Sequence, residues 1–220
     1  MKHTLEAICT GTARPFNGAE ASAIAKHPRE GIVQFLEDGL APDEQADKRV
    51  HGGPEMAVHL YPLDHHEYWR DELGAPDLLD QPGAFGSNLA VRGMTEDQVH
   101  IGDTFRVGPS ATGALLQISQ PRQPCWKIEH RFGAFCEAKG MVTKIVSTGR
   151  SGWYFRVLEF GEARAGDAIE RVEIGHQDWS VARAFAVLMA GKGSREELRE
   201  LANLDALSPK LREKAKAKLG

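Results

Sequence analysis

Short apolar runs, separated by turns rich in glycine and proline, make up the first three quarters of the chain. Several runs are apolar throughout or roughly alternating, a pattern that is typical of strands in a partly closed all-β body. The candidate strands cover residues 5–12, 31–36, 99–107, 115–119 and 153–160. We therefore expect a mainly β fold over this part of the chain.

Two stretches within the β-rich region favour inserted helices. The first covers residues 64–73, where Asp64 is suited to the N-cap and Glu67 follows three residues later. The second follows Cys125 and runs toward Thr148, with a break near Gly140. The expected body is thus β-rich with helices between its strands.

The last part of the chain has a helical pattern. Ser180 can cap a helix that runs to about Met189, and Ser194 opens an S-x-x-E capping box before a second helix. Ser208, followed by a proline, opens a third. We expect a β-barrel domain over residues 1–175 and a three-helix domain over residues 176–220. Because so short a bundle is unstable alone, it should pack on the β-body or on a partner chain.

Composition and charge narrow the classes of function. The net charge of −4 argues against a protein that coats nucleic acid, because such binding depends on an excess of lysine and arginine. No apolar run approaches the roughly 20 residues that span a bilayer, and the first residues lack the apolar region of a secretory signal. We expect a cytoplasmic protein with reduced thiols and with neither a nucleic-acid nor a membrane partner.

The densest chemical signal is the loop of residues 119–127, which follows an apolar run and contains Cys125. Its two prolines stiffen the connection and remove N–H donors, so the loop is suited to presenting one side chain to a cleft. Arg122 and Lys127 place positive charge near the sulfur, which favours the thiolate that attacks electrophiles and binds metals. The plainer interpretation is a buried cysteine that only packs.

Other residues of chemical interest are expected to have structural roles. Cys9 and Cys136 lack basic surroundings, and we place Cys136 on the helix after the cysteine loop. His59, His65 and His66 match no zinc-binding spacing. We interpret His65 and His66 as surface residues of the first inserted helix.

Several polar loops could converge on an anionic ligand. Residues 39–54 include adjacent glycines beginning at Gly52, and such glycines let backbone N–H groups converge on an anion. Lys48, Arg49 and His51 in the same stretch could add charge or hydrogen bonds. Taken singly, each feature is equally well explained as an ordinary turn or a solvated face.

Four motifs occur in an order that resembles the MOSC family, named for the C-terminal domain of molybdenum-cofactor sulfurases. They are Ser-Ala-Ile-Ala-Lys at 22–26, Asp-Glu-Gln-Ala-x-x-x-Val-His-Gly-Gly-Pro at 43–54, Phe-Gly-x-Asn-Leu at 85–89 and Ser-Gln-Pro-Arg-x-Pro-Cys at 119–125. The helical tail adds a likeness to the stand-alone bacterial YiiM-type members. One departure is Ser87, where many members have glutamate.

The resemblance implies a β-barrel body with a small helical domain, and a molybdenum cofactor bound to the protein. It implies that Cys125 is the protein ligand of the metal and the catalytic residue. The residues that it matches to cofactor binding are Lys26, Arg49, His51, Gly52, Asn88, Ser119 and Arg122.

The resemblance also implies an activity, the reduction of N-hydroxylated compounds such as the purine 6-hydroxylaminopurine. The chain shows no G-x-G-x-x-G fingerprint after a strand and no four-cysteine cluster, so electrons should come from a separate reductase. The helical tail could also form a homodimer contact.

Two other classes of function stay open at this point. In the first, the protein is a carrier whose Cys125 holds the cofactor or a persulfide without turning over a substrate. In the second, Cys125 is the nucleophile of a hydrolase, with His51 or His130 as its base.

Overall fold

The computed structural model describes residues 1–46 and 52–220. The strands are β1 (Lys2–Thr10), β2 (Arg14–Asn17), β3 (Glu20–Ser22), β4 (His27–Pro28), β5 (Val33–Leu36), β6 (Gly39–Ala41), β7 (Val58–Pro62), β8 (Leu89–Val91), β9 (Thr104–Val107), β10 (Ala114–Pro121), β11 (Trp153–Glu159), β12 (Gly161–Ala163) and β13 (Ala168–Glu173). The helices are α1 (His65–Leu73), α2 (Trp126–Phe132), α3 (Met141–Thr148), α4 (Val181–Leu188), α5 (Arg195–Ala202) and α6 (Pro209–Ala217). Short 3-10 helices cover Pro54–Met56 and Asp77–Asp80.

The large sheet closes into a barrel. Its strands lie side by side in the order β13, β9, β10, β11, β7, β8 and β1, and β1 pairs with β13 to complete the circle. Closure satisfies the backbone groups that open sheet edges would expose. The β7–β8 pair is parallel, with Leu60 opposite Leu89, and α1 lies in the crossover that such a pair requires. The expected β-barrel with a helical C-terminal domain is confirmed.

Alternating side chains explain why the barrel has a packed centre. In β10, Leu116 and Ile118 are fully buried, whereas Leu115 and Gln117, which alternate with them, are half-buried. Successive side chains of a strand point to opposite faces, so one face of β10 enters the core.

A second apolar cluster holds the inserted helices against the barrel. Trp69 of α1 and Phe132 of α2 are fully buried with Tyr61 of β7 and Phe85. The rings of Tyr61 and Phe85 are stacked, with centroids 4.0 Å apart. This packing positions α2, and therefore the cysteine loop that leads into it.

The C-terminal helices pack on the barrel, as expected. Leu201 and Leu207 are fully buried in the same cluster as the barrel residues. Ser180 and Ser194 accept N-cap hydrogen bonds, and Ser194 forms the expected capping box. Ser208 precedes α6, but its side chain forms no cap hydrogen bond. Within the described residues, each helix is too short or too polar to cross a membrane.

One expected secondary-structure feature is wrong, and another holds only in part. The apolar run 99–107 becomes a strand only from Thr104, because Asp103 is buried in a turn and its carboxylate accepts hydrogen bonds from the backbone N–H groups of His100 and Gly175. Asp64 is the N-cap residue of α1 as expected, but its side chain forms no cap hydrogen bond, and its carboxylate accepts a hydrogen bond from Gly93 N instead.

His65 and His66 are buried rather than on the surface. His65 Nε2 lies 2.7 Å from the Glu96 carboxylate, and His66 Nδ1 donates to the carbonyl oxygen of Leu79 at 2.9 Å. Segments distant in the chain therefore cover the face of α1 that carries both histidines.

Candidate functional site

All four motifs singled out in the sequence contribute to one cavity. Its described lining comes from residues 22–26, 43–46, 86–88 and 122–127, together with the side chains of Met56, His59 and Tyr154. These segments are far apart in the chain, and the barrel brings their ends together. The clustering of four polar motifs at one cavity makes it the candidate functional site.

Cys125 lines the cavity and is half-buried. It is the N-cap residue of α2, and its extended backbone (φ −134°, ψ 163°) ends the proline-containing loop. The loop is held to the neighbouring segment by a 3.0 Å hydrogen bond from Arg122 N to the carbonyl oxygen of Gly152. The stiff loop therefore presents Cys125 to the cleft, as the sequence predicted.

Asp43 organises the polar side of the cavity. Its carboxylate forms an ion pair with Lys26 and accepts hydrogen bonds from Asn88 Nδ2 at 2.9 Å and from Gly11 N at 2.7 Å. The side chains of Lys26 and Asp43 are 9% and 3% exposed. Burial lowers the pKa of Lys26, and the adjacent carboxylate opposes that shift. Lys26 and Asn88, both predicted site residues, thus meet through a residue that sequence reasoning missed.

Asn88 also joins the strands that carry the site. Its Oδ1 atom accepts a hydrogen bond from His59 N at 3.1 Å, and its Nδ2 group donates to the carbonyl oxygen of Cys9 at 3.2 Å. Because the amide side chain is buried and bonded on both sides, it holds β1 and β7 beside the cavity.

Arg122 brings a buried positive charge to the cavity. Its side chain donates to the carbonyl oxygen of Phe85 at 3.3 Å, whereas Nη1 is buried with no partner in hydrogen-bonding geometry among the described residues. The residue lies beside Tyr154, whose pKa is raised by burial while the charge of Arg122 opposes the shift. A guanidinium with an unused donor is suited to an anionic or oxygen-rich ligand.

The buried carboxylate of Glu96 stabilises the turn that contacts the backbone of Arg122. Glu96 accepts hydrogen bonds from the backbone N–H groups of Ser151 at 3.0 Å and Gly152 at 2.7 Å. Ser151 in turn donates a short hydrogen bond to the carbonyl oxygen of Arg122. Glu96 therefore fixes the turn against which the cysteine loop rests.

His59 is a neutral histidine in the cavity lining. Burial lowers its pKa well below 6.5, and the nearby positive charge of Arg122 adds to the effect. Nδ1 lies 3.3 Å from the carbonyl oxygen of Gly86, and the backbone of Ser151 also acts on the ring. Nε2 is buried with no partner in hydrogen-bonding geometry among the described residues. His59 therefore offers a neutral imidazole with one unused ring nitrogen, a property that its position in the sequence did not indicate.

Lys127 gives the cavity a third cation. Its Nζ atom donates to the carbonyl oxygen of Ala21 at 3.2 Å and lies 3.9 Å from the carboxylate of Glu20. The ammonium group therefore links the start of α2 to the hairpin formed by β2 and β3.

The other predicted site residues either lie outside the described residues or are absent from the described lining. Arg49 and His51 lie outside the described residues, and Gly52 is not part of the described lining. Ser119 is fully buried, and its hydroxyl donates to the carbonyl oxygen of Glu55 at 2.6 Å. The same hydroxyl lies 3.1 Å from the carbonyl oxygen of Tyr154, so Ser119 connects β10 to two neighbouring segments and is not part of the described lining. His130 is exposed on α2, outside the lining.

The remaining cysteines lie outside the cavity. Cys9 is fully buried in β1, and burial raises the pKa of its thiol to about 12. Cys136 is not on a helix as expected, since α2 ends at Phe132 and the chain turns before Cys136. Neither residue lines the described cavity.

Comparisons with known proteins agree with the motifs. Residues 47–170 match the MOSC domain, and residues 179–219 match the YiiM-like, 3-alpha helix domain. The chain is 38% identical to protein YiiM of Escherichia coli over 165 residues, which are 75% of this chain and 70% of that protein. A Gibberella moniliformis protein named reductase is 38% identical over 188 residues, 85% of this chain and 32% of that protein.

A solved structure has the same architecture. The crystal structure of YiiM from Geobacillus stearothermophilus superposes with a TM-score of 0.81 at 29% identity, over 100% of both chains. The MOSC match covers more than half of the chain, and the helical match follows it directly along the sequence. The chain therefore belongs to the MOSC-domain family and carries the YiiM-like three-helix domain at its C-terminal end.

Proposed function

We propose that this protein binds a molybdenum cofactor through Cys125 and reduces N-hydroxylated compounds with electrons from a separate reductase. The observation that carries the proposal is the meeting of Cys125, Lys26 and Arg122 at one cavity. Membership in the MOSC family and the reductase name of one relative support an oxidoreductase role. The proposal goes beyond an oxidoreductase role in naming the cofactor and the N-hydroxylated substrate.

The donor groups of the cavity fit such a cofactor. The sulfur of Cys125 is a soft ligand of the kind that suits a redox-active metal. The unused Nη1 donor of Arg122 would bind an oxygen of the cofactor, and a buried unsatisfied donor is otherwise costly. Both groups are held by backbone hydrogen bonds, so the site is organised before the ligand arrives.

Lys26, whose ammonium group is held in place by Asp43, would bind the phosphate of the cofactor. An ammonium group has three donors, and the carboxylate of Asp43 takes one of them. The remaining donors can reach an anion while the ion pair keeps the ammonium in place. The pairing also prevents an isolated buried charge before the cofactor binds.

The bound molybdenum centre would supply the two-electron chemistry that removes oxygen from an N–OH group. The protein contributes binding and orientation. His59 is neutral, and its Nε2 atom, which has no partner in hydrogen-bonding geometry among the described residues, can form a hydrogen bond with the bound ligand. The apolar side chains of Ile24 and Met56 line the same cavity and limit the access of water.

The electron source is proposed to be another protein. The sequence has neither the glycine-rich fingerprint of a dinucleotide site after a strand nor a four-cysteine cluster. A preparation supplied only with NAD(P)H should therefore be inactive, whereas reduced viologen dye should support turnover. Turnover with NAD(P)H alone would contradict this part of the proposal.

The deciding experiment measures molybdenum content and reduction of 6-hydroxylaminopurine by reduced viologen dye. Wild type, Cys125→Ala and the control Cys136→Ala are purified from a host that makes the cofactor. We expect metal and turnover in wild type and in the control, and loss of turnover in Cys125→Ala. Metal without turnover in wild type would favour the carrier function, and wild type without metal would return Cys125 to the interpretations as a nucleophile or a packed core residue.

A further inference from the structure

Three aromatic side chains form a cluster beside the candidate site. Phe16 of β2 and Trp126 of α2 have ring centroids 6.0 Å apart, and Phe16 and His130 of α2 have centroids 4.7 Å apart. The ring centroids of Trp126 and His130 are 5.8 Å apart, so each of the three rings contacts the other two. We call these residues the rim cluster.

Polar contacts fix the rim cluster in place. His130 Nε2 donates to the carbonyl oxygen of Phe16 at 3.1 Å, and Lys127 Nζ donates to the carbonyl oxygen of Ala21 at 3.2 Å. The hairpin of β2 and β3 is therefore held against α2 by two hydrogen bonds. An aromatic surface that is already ordered loses little conformational entropy when a ligand binds.

The rim cluster borders the cavity that contains Cys125. Trp126 directly follows Cys125 in the chain, and the centroid of its ring lies 6.0 Å from Nζ of Lys127, which lines the cavity. Ser22, at the end of β3, lines the cavity from the hairpin side. Trp126 itself is not part of the described lining, and its indole lies at the edge of the cavity, between the lining residues Cys125 and Lys127 in the chain.

Trp126 is unusual among the tryptophans of this chain. It is 40% exposed, whereas Trp69, Trp153 and Trp179 are at most 3% exposed. Its ring contacts in the cluster are tilted or edge-on, at 47° and 73°, so neither Phe16 nor His130 stacks in parallel on the indole. A planar ligand can still stack on the indole, and stacking on aromatic side chains favours flat heterocycles.

We propose that Trp126 binds the planar ring of an aromatic N-hydroxylated substrate and directs its N–OH group toward Cys125. The proposal rests on the proposed function for the reaction and adds the residue that binds the ring of the substrate. The rim cluster presents one exposed indole and two partner rings, far less than the roughly 800 Å² that each partner buries in a stable protein interface. A flat small molecule therefore fits this surface better than a protein does.

The first test uses equilibrium dialysis of adenine, a planar ring that cannot be reduced at an N–OH group, with the full-length protein. We expect Trp126→Leu to weaken binding by about fivefold or more, and Trp126→Phe to retain most of it. The matched control is Phe135→Leu, because Phe135 is 52% exposed and lies outside the rim cluster. Unchanged adenine binding in Trp126→Leu would overturn the proposal.

A measurement on the wild-type protein avoids dependence on the leucine variant. Each tryptophan indole N–H gives one signal in a nitrogen-15 NMR spectrum, and Trp126→Phe identifies the signal of Trp126. Adenine is expected to shift the Trp126 signal more than the other three. A shift confined to the other tryptophans would place the ring elsewhere and contradict the proposal.

The kinetic test compares 6-hydroxylaminopurine with acetamidoxime, a small aliphatic substrate, using protein loaded with molybdenum cofactor. In Trp126→Leu, KM for the purine should rise about fivefold or more, and any loss in kcat/KM for acetamidoxime should be several times smaller. Equal losses for both substrates, or a loss seen only with a protein electron donor, would overturn the substrate role. If loaded wild type reduces neither compound, the proposed function fails, and the adenine measurements still decide the role of Trp126.

Discussion

Lys26 and Asp43 form a buried ion pair at the edge of the cavity, although they are 17 residues apart in the chain. The same carboxylate accepts hydrogen bonds from Asn88 and Gly11, so one side chain joins four segments of the fold. Removing one partner from a buried pair usually costs more free energy than removing both, because an unpaired charge stays in a region of low dielectric constant. This pair is therefore a structural element of the site as well as a candidate ligand contact.

Asp43→Asn should destabilise the protein strongly. The substitution leaves the ammonium group of Lys26 without its carboxylate, and the expected loss in the free energy of unfolding is about 3–5 kcal/mol. Urea denaturation followed by circular dichroism measures the loss. The double variant Lys26→Met with Asp43→Asn should recover part of it, and Glu44→Gln, at an exposed neighbouring position, is the control. A single-variant loss below about 1 kcal/mol would show that the pair contributes little.

The stability of the protein should fall as the pH drops below about 6.5, in part because of His59. Burial lowers the pKa of folded His59 well below 6.5, so below that pH the unfolded chain binds a proton that the folded chain does not. Between pH 7.5 and 5.5 this residue alone should remove about 1.4 kcal/mol from the free energy of unfolding. His59→Gln should reduce the loss by that amount, with His27→Gln as an exposed control. An equal pH dependence in wild type and His59→Gln would contradict the assignment.

Glu96→Ala should destabilise the turn behind Arg122. The carboxylate is buried and accepts from Ser151, Gly152 and His65, so its removal leaves these groups without an acceptor. We expect a loss of about 3 kcal/mol or more in thermal or chemical unfolding. Glu96→Gln keeps one oxygen as acceptor and should lose less. Equal losses in both variants would show that the carboxylate charge, rather than the hydrogen bonds to the turn, matters most.

Cys125 should be the first thiol to react with a water-soluble disulfide reagent. It is half-buried in an open cavity, whereas Cys9 is fully buried and its thiol has a pKa raised to about 12 by burial, so Cys9 stays a protonated thiol. Absorbance of the released thiolate gives the rate for wild type, Cys125→Ala and Cys136→Ala. The fastest phase should disappear only in Cys125→Ala, and Cys9 should react only when the protein unfolds. A fast phase that survives in Cys125→Ala would assign the reactive thiol to another residue.

Local patterns predicted much of the framework because they arise from contacts between near neighbours. The alternation through Leu116 and Ile118 gives a strand with one buried face, and the capping residues Ser180 and Ser194 begin helices where expected. The same reasoning was wrong for His65 and His66. Their burial depends on Glu96 and on the segment Asp77–Asp80, which local periodicity does not represent.

Sequence motifs predicted individual residues of the candidate site, but not the hydrogen bonds and the ion pair that join them. Lys26, Asn88, Arg122 and Cys125 were singled out by motif, and the fold brings them to one cavity. Asp43 begins one of the motifs, yet its partners are 17, 32 and 45 residues away. Such separations carry no local signal, so its role could not be predicted from spacing.

Local sequence preferences were sufficient to predict the strand-rich body, the capped C-terminal helices and the stiff loop that carries Cys125, because each depends on backbone preferences and on residues a few positions apart. The pairing of β1 with β13 and the parallel direction of β7 and β8 depend instead on tertiary packing. Tertiary packing also keeps the imidazole of His59 neutral, since burial and the charge of Arg122 act on it through space. Contacts between distant segments depend on how the whole barrel closes, and closure is a property of all its strands together.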